Sequence, residues 1–231
     1  MSAFKKATVV VVHGAWADGS SWEPVIRRLQ KQGLEVIAAP IPLTSLSEDA
    51  AALRRTLART QGPVVLAGHA YAGAVIATSH DERVKALVYI AALAPDEGET
   101  IAQVFYRDEA HPNAPKLAPD ADGFIWMPDE SFAQAFAQNA TPEQVDLCRA
   151  VQRPISVSCI QEQASSPAWK AKPTWYLLAE EDRMINPKTQ RFMAERMKAT
   201  VRSFAVDHAP LLTAPGKVTD IILEAAQAIL N

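Results

Sequence analysis

Cysteine is nearly missing from this chain. Only Cys148 and Cys159 occur. Two cysteines in no C-x-x-C arrangement build neither a disulfide framework nor a redox or metal pair, and both read as buried or half-buried thiols. Long apolar runs are missing too: none approaches the roughly 18 residues a membrane-crossing helix requires. Charge of neither sign dominates. The net charge of −3 argues against a non-specific nucleic-acid binder, which needs a basic face. No glycine cluster forms a P-loop or G-x-G-x-x-G element, and no H-x-H or H-E-x-x-H spacing offers a metal site. The chain is therefore read without cofactor or metal, and without a membrane or nucleic-acid partner. A small-molecule substrate remains. The oligomeric state, monomer or homodimer, stays open.

What is present is an ordinary globular composition, 48% hydrophobic and 21% charged over 231 residues. That length suits one domain with a sizeable core. Met1–Lys6 is short and polar. The apolar run Thr8–Val12 that follows is too short for a signal-peptide core and runs into His13-Gly14 with no cleavage-like site. The expectation is a cytosolic protein.

Strand and helix signals alternate at first. Thr8–Val12 is a β-branched run of the kind buried on both faces of a sheet. Ser20 or Ser21 is placed to cap a helix whose Trp22, Val25, Ile26 and Leu29 form one apolar stripe. Gly33 ends it, and residues 34–39 read as a second strand. Ser45-x-x-Glu48 has the form of a capping box before a helix carrying Leu53 and Leu57. Strands follow at 64–67 and 85–91. From about 95 to 172 the rhythm changes to Pro, Asp, Gln and aromatics. This stretch is expected to be an inserted, partly helical cap, with 129–139 and 142–150 its best helical candidates. The alternation then resumes: a strand at 174–178, a helix capped by Asn186 with Pro187 in its first turn, a strand at 200–206, and a last amphipathic helix. Such alternation predicts an α/β fold with a mostly parallel sheet, its core at 1–94 and 173–231.

The most informative segment is Val64-Val65-Leu66-Ala67-Gly68-His69-Ala70-Tyr71-Ala72-Gly73. Buried strand, tight turn and helix follow one another, with small residues at 68, 72 and 73. This is the context in which G-x-S-x-G presents a serine nucleophile. Here Ala72 takes the place of the second glycine, a mild change. Ala70 takes the place of the serine, and alanine has no oxygen with which to form an acyl-enzyme.

With Val12-His13-Gly14-Ala15-Trp16, Glu181-Asp182-Arg183-Met184-Ile185 and Asp207-His208-Ala209-Pro210, this segment makes the chain resemble the α/β-hydrolase superfamily. The likeness is to its small esterase-like, methylesterase-like and hydroxynitrile-lyase-like branch. The resemblance implies Ala70 at the nucleophile position, Asp182 as the catalytic acid with Glu181 its competitor, and His208 as the base. It also implies an oxyanion hole from the N–H groups of Tyr71 and of Ala15 or Trp16. The chain order 70, 182, 208 is that of the fold. His13, Gly14, Phe105 and Trp126 are expected to line the substrate pocket, and His69 to be a packing residue. Three functions stay open: an ester hydrolase silenced by a Ser-to-Ala replacement, a native enzyme that uses only the His208–Asp182 pair, and a small-ligand binder.

Overall fold

The computed structural model describes residues 7–230; the polar stretch Met1–Lys6 lies outside them. Six strands form one parallel sheet: β1 (Thr8–Val12), β2 (Glu35–Ala39), β3 (Val64–His69), β4 (Val84–Ile90), β7 (Thr174–Ala179) and β8 (Thr200–Phe204). Their spatial order is β2-β1-β3-β4-β7-β8. Chain progression reverses at β1. The first connection leads to one side of that strand and the second to the other, so a crevice opens between the carboxyl ends of β1 and β3. Open α/β sheets bind their ligands at such switch points.

The β-branched run of β1 behaves as its sequence dictates. All five residues are buried. Val10 and Val12 join one core, while Val9 and Val11 join the core on the other face. The period-two alternation of a strand divides a uniformly apolar sequence between two layers. On one face lie α1 (Glu23–Lys31) and α10 (Pro215–Leu230), through Val25, Leu29, Val218 and Ile222. On the other lie α2 (Leu46–Leu57), α3 (Ala72–Ala77) and α8 (Pro187–Arg196), through Leu53, Leu57, Val75 and Met193.

Local chemistry sets most helix starts, with one departure from expectation. Neither Ser20 nor Ser21 caps α1. Asp18 instead accepts from Ser20 N and starts a single 3-10 turn, Gly19–Trp22, that feeds the α-helix. A carboxylate two residues upstream outcompetes the hydroxyls for the free N–H. Ser45 does cap α2, accepting from Glu48 N at 3.1 Å, and Asn186 caps α8. The strand expected over 200–206 ends at Phe204.

Between β4 and β7 the chain breaks into short pieces: α4 (Ile101–Phe105), β5 (Phe124–Ile125), α5 (Asp129–Ser131), a π-helical turn Phe132–Phe136, α6 (Pro142–Ala150), β6 (Ile155–Ser156) and α7 (Val157–Gln161). The helix expected over 129–139 is thus α5 plus the π turn, while α6 falls where sequence placed it. β5 and β6 pair antiparallel. The segment packs on the α2, α3 and α8 face through Ile101, Val104, Phe132 and Ile155. After β8, α9 (Pro210–Thr213) precedes α10. Among the described residues no helix is long and apolar enough to cross a membrane.

Candidate active site

At the carboxyl end of β3 the chain turns at Ala70 with φ of +51°. A non-glycine residue there costs about 1–2 kcal/mol, so the surroundings must hold it. Ala70 N donates to Ile90 O at 3.2 Å, and Ala70 O accepts from Leu93 N at 3.0 Å and Gly73 N at 3.1 Å. Close packing explains the neighbouring glycines. A Cβ on Gly68 would lie 2.8 Å from Ala72 O, and one on Gly73 only 2.3 Å from Leu93 O. The turn therefore keeps its sharp backbone although its side chain is a methyl group.

His208 follows β8, and Asp182 follows β7. The chain separation of 26 residues closes to 2.8 Å between His208 Nδ1 and Asp182 Oδ2, and both side chains are almost fully buried. The carboxylate accepts, so Nδ1 is the donor, and in the neutral form of the ring Nε2 is the acceptor nitrogen. Asp182 is itself held: Oδ1 accepts from Met184 N at 2.7 Å and Ile185 N at 2.9 Å, and Oδ2 accepts from Gln190 Nε2 at 2.7 Å. Its competitor Glu181 is exposed and makes only backbone bonds here, its N–H to Val206 O and its carbonyl from Gln138.

Of the two candidate donors after β1, Trp16 is excluded. Its N–H already donates to Arg153 O at 3.0 Å, and its indole to Ile125 O at 2.9 Å. Among the described residues the backbone N–H groups of Ala15 and Tyr71 have no such partner. Ala15, Trp16, Ala70, Tyr71 and His208 all line one cavity. The remaining wall is apolar, including Ile101, Phe105, Leu117, Ile125 and Met184. An imidazole with its Nδ1 on a carboxylate is suited to general-base work, and free N–H groups beside it can receive a developing oxyanion.

Three of the residues expected on this wall lie elsewhere. Trp126 is half exposed and donates its indole N–H to Asp120 at 3.1 Å. The two-residue strand before it turns Ile125 inward and so Trp126 outward. His13 is buried with its Nδ1 on Gly14 O. Gly14 packs against the turn, where a Cβ would come within 3.0 Å of the Ala70 methyl. Both support the site from behind its surface.

Other residues prove to matter that sequence reasoning passed over. His69, read as packing, donates from Nε2 to the backbone carbonyl of His208 at 2.7 Å, with the two rings 4.9 Å apart. Burial, and then the neighbouring His208, lowers the His69 imidazole to about 3, so it stays neutral. Phe136, in the π turn, sets its edge against both histidines. Gln190, fully buried, bridges Asp182 to Ala179 N and Ile185 O. Its only sequence signal was a polar residue on the inner face of α8.

A six-stranded parallel sheet flanked by helices, with a buried His–Asp pair at its carboxyl edge, defines the α/β-hydrolase class. The chain belongs to the alpha/beta hydrolase family, whose model matches residues 9–221. It is 26% identical, over 247 aligned positions, to the alpha/beta hydrolase nvfD of Aspergillus novofumigatus, covering 96% of this chain and 97% of that one. Among solved structures it resembles a pyrethroid hydrolase from Sphingobium faniae JZ-2, with TM-score 0.84, 22% identity, and 96% and 98% of the two chains covered. It likewise resembles tomato methylketone synthase I, with TM-score 0.83, 16% identity, and 97% and 98% covered.

Proposed function

We propose that this chain binds a small, largely apolar carboxylic ester or related acyl compound and, having Ala70 at the nucleophile position, forms no acyl-enzyme on it. One observation carries the reading. His208, its Nδ1 held by buried Asp182, faces the same apolar cavity as the Ala70 methyl and as Ala15 and Tyr71. In this reading the substrate carbonyl oxygen is received by the N–H groups of Ala15 and Tyr71, and residues 95–172 act as a cap that supplies the apolar wall. Asp182 fixes the tautomer of His208. Ester turnover by the covalent route is absent. Two free cysteines agree with a reducing, cytoplasmic setting. No cofactor, metal, nucleic acid or membrane enters the reading.

A second reading, general-base chemistry without a nucleophile, is favoured by the care with which Asp182 is held. A buried carboxylate is costly to retain, and besides His208 three donors converge on this one. His208 Nε2 would take a proton from water as the water oxygen bonds to the carbonyl carbon, then return it to the leaving alkoxide as the C–O bond breaks. Solved structures of similar fold carry hydrolase, esterase and synthase names, so the reaction is decided by the pocket and not by the fold.

Ala70→Ser tests the first reading with 4-nitrophenyl butyrate. The expected gain in kcat/KM is at least about 10⁴-fold, since loss of the nucleophile alone costs on the order of 10⁶ in kcat in a serine hydrolase. If neither form hydrolyses the ester while small apolar esters still raise Tm, the chain is a binder. His208→Ala in the Ala70 protein is expected to abolish any residual turnover; unchanged turnover rules out the second reading.

A further inference from the structure

We infer that Asp49, on α2 and outside the His208–Asp182 pair, is a positioning residue: it grips the Tyr71 hydroxyl and so holds the Tyr71 backbone N–H toward the cavity. The inference rests on the reading that this N–H receives the substrate oxygen.

The peptide joining Ala70 to Tyr71 follows the positive-φ residue of the turn and carries the N–H in question. Its two ends are pinned by different means. The carbonyl of Ala70 is held by Leu93 N and Gly73 N. In a trans peptide the N–H points opposite to the carbonyl, so these bonds set the direction of Tyr71 N–H. The far end is held by the side chain. Tyr71 Oη donates to Asp49 Oδ2 at 2.7 Å. Asp49 is fully buried, and its Oδ1 accepts from Leu43 N at 2.7 Å.

A buried carboxylate is an expensive way to satisfy one phenol, and an apolar contact would serve packing alone. Asp49 also reaches the opposite wall. Cys159 Sγ, in α7, donates to Oδ2 at 3.7 Å, and Leu43 O accepts from Ser156 N at 3.0 Å. Ile155 and Ile160, on either side of Cys159, line the cavity. One carboxylate therefore ties the loop after β2, the residue after the turn, and the far wall.

The test uses the chain as it stands, with butyrate as the probe for the N–H groups and toluene as a probe with no oxygen to be received. In the parent, butyrate is expected to shift the amide resonances of Ala15 and Tyr71. Asp49→Asn and Tyr71→Phe should each weaken butyrate about ten-fold, the scale of one well-made hydrogen bond, and leave toluene affinity within about two-fold. The double variant should bind no more weakly than either single one. If butyrate shifts both amides in the parent and the variants bind it equally well, Asp49 is structural only and the inference is overturned while the reading of the site stands. If both probes weaken together, the role is packing of the cavity and the inference is overturned. If the parent shows no butyrate shift at Ala15 and Tyr71, the reading of the site falls and takes the inference with it. Should Asp49→Asn fail to fold, Tyr71→Phe, which keeps the ring in place, gives the same outcomes.

Discussion

The two sides of the cavity are built by opposite means. On the sheet side, Ala15, Ala70, Tyr71 and His208 sit on turns that begin where β1, β3 and β8 end, and backbone approaches are so close that a single added Cβ collides. On the other side, Ile101, Phe105, Tyr106, Leu117 and Ile160 stand on helices of five residues or on irregular chain, and Tyr106 is 62% exposed. The first side spends stability to place polar atoms. The second offers apolar surface with few fixed points. Chemistry that depends on tenths of an ångström belongs on the rigid side, and the discrimination of substrate size belongs on the adaptable one.

The sharpest way to break this contrast uses a pair of glycines. Gly73→Ala would push a Cβ to 2.3 Å from Leu93 O, the carbonyl of the residue whose N–H supports Ala70. A loss above about 4 kcal/mol is expected, in the range reserved for severe core disruption. Gly123→Ala, in the segment between β4 and β7, meets nothing within 4 Å and bears only the cost of its φ of +80°. That cost is about 1–2 kcal/mol. Urea unfolding of both variants checks it; equal losses would mean that the sheet side is no more constrained than the other.

The next effect is a slope rather than a loss. An unfolded chain protonates His69 near pH 6.5, but the folded one only near 3, because the ring is buried beside His208. Between those values the unfolded state binds more protons, so stability rises with pH by up to about 1.4 kcal/mol per unit. His13, lowered by burial, adds slope of the same sign. Asp49 and Asp207, raised by burial, oppose it just above the usual carboxylate range. Stability is therefore fully present above pH 6.5 and is lost as pH falls below it. Urea unfolding at pH 5.5 and 6.5 should show the slope in the parent and about 1 kcal/mol less of it in His69→Gln.

Legibility in the sequence divides along the same line. β1 and α6 fall where hydrophobic pattern and capping residues placed them, and β7 and α8 to within a residue. These elements carry a clear hydrophobic pattern, or are opened by proline in the first turn, with Asn186 as cap in α8. The juxtaposition of Ala70, Asp182 and His208 was legible as motif order, though not as distance. The elements α4, β5, β6 and α7 were not legible. A two-residue strand has no period, and a five-residue helix too little of one. Trp126 shows the cost: an aromatic in this segment faces solvent or cavity according to a register that only the β5–β6 pairing sets. Asp49, Gln190 and His69 were hidden for a different reason. Each is a polar residue on the buried face of its helix or strand, and its partner lies 8 to 139 positions away.

The smallest expected effect is the one that sharpens the contrast most. Phe105 is half-buried, lies on α4, and meets Tyr106 edge to face at 4.9 Å. Its side chain carries no hydrogen-bonding group and so takes no part in the bonds that hold Ala70, Asp182 and His208. Phe105→Ala should therefore cost no more than about 2 kcal/mol of stability, well under the 3–5 of a fully buried ring. The space gained should admit a longer acyl chain, each methylene being worth about 1 kcal/mol or more in an apolar pocket. In the Ala70→Ser protein, the ratio of kcat/KM for 4-nitrophenyl octanoate over butyrate should rise about ten-fold, with butyrate turnover nearly unchanged. A fall in turnover for both esters alike would show that α4 helps place the reacting atoms, and the division of labour between the two walls would fail.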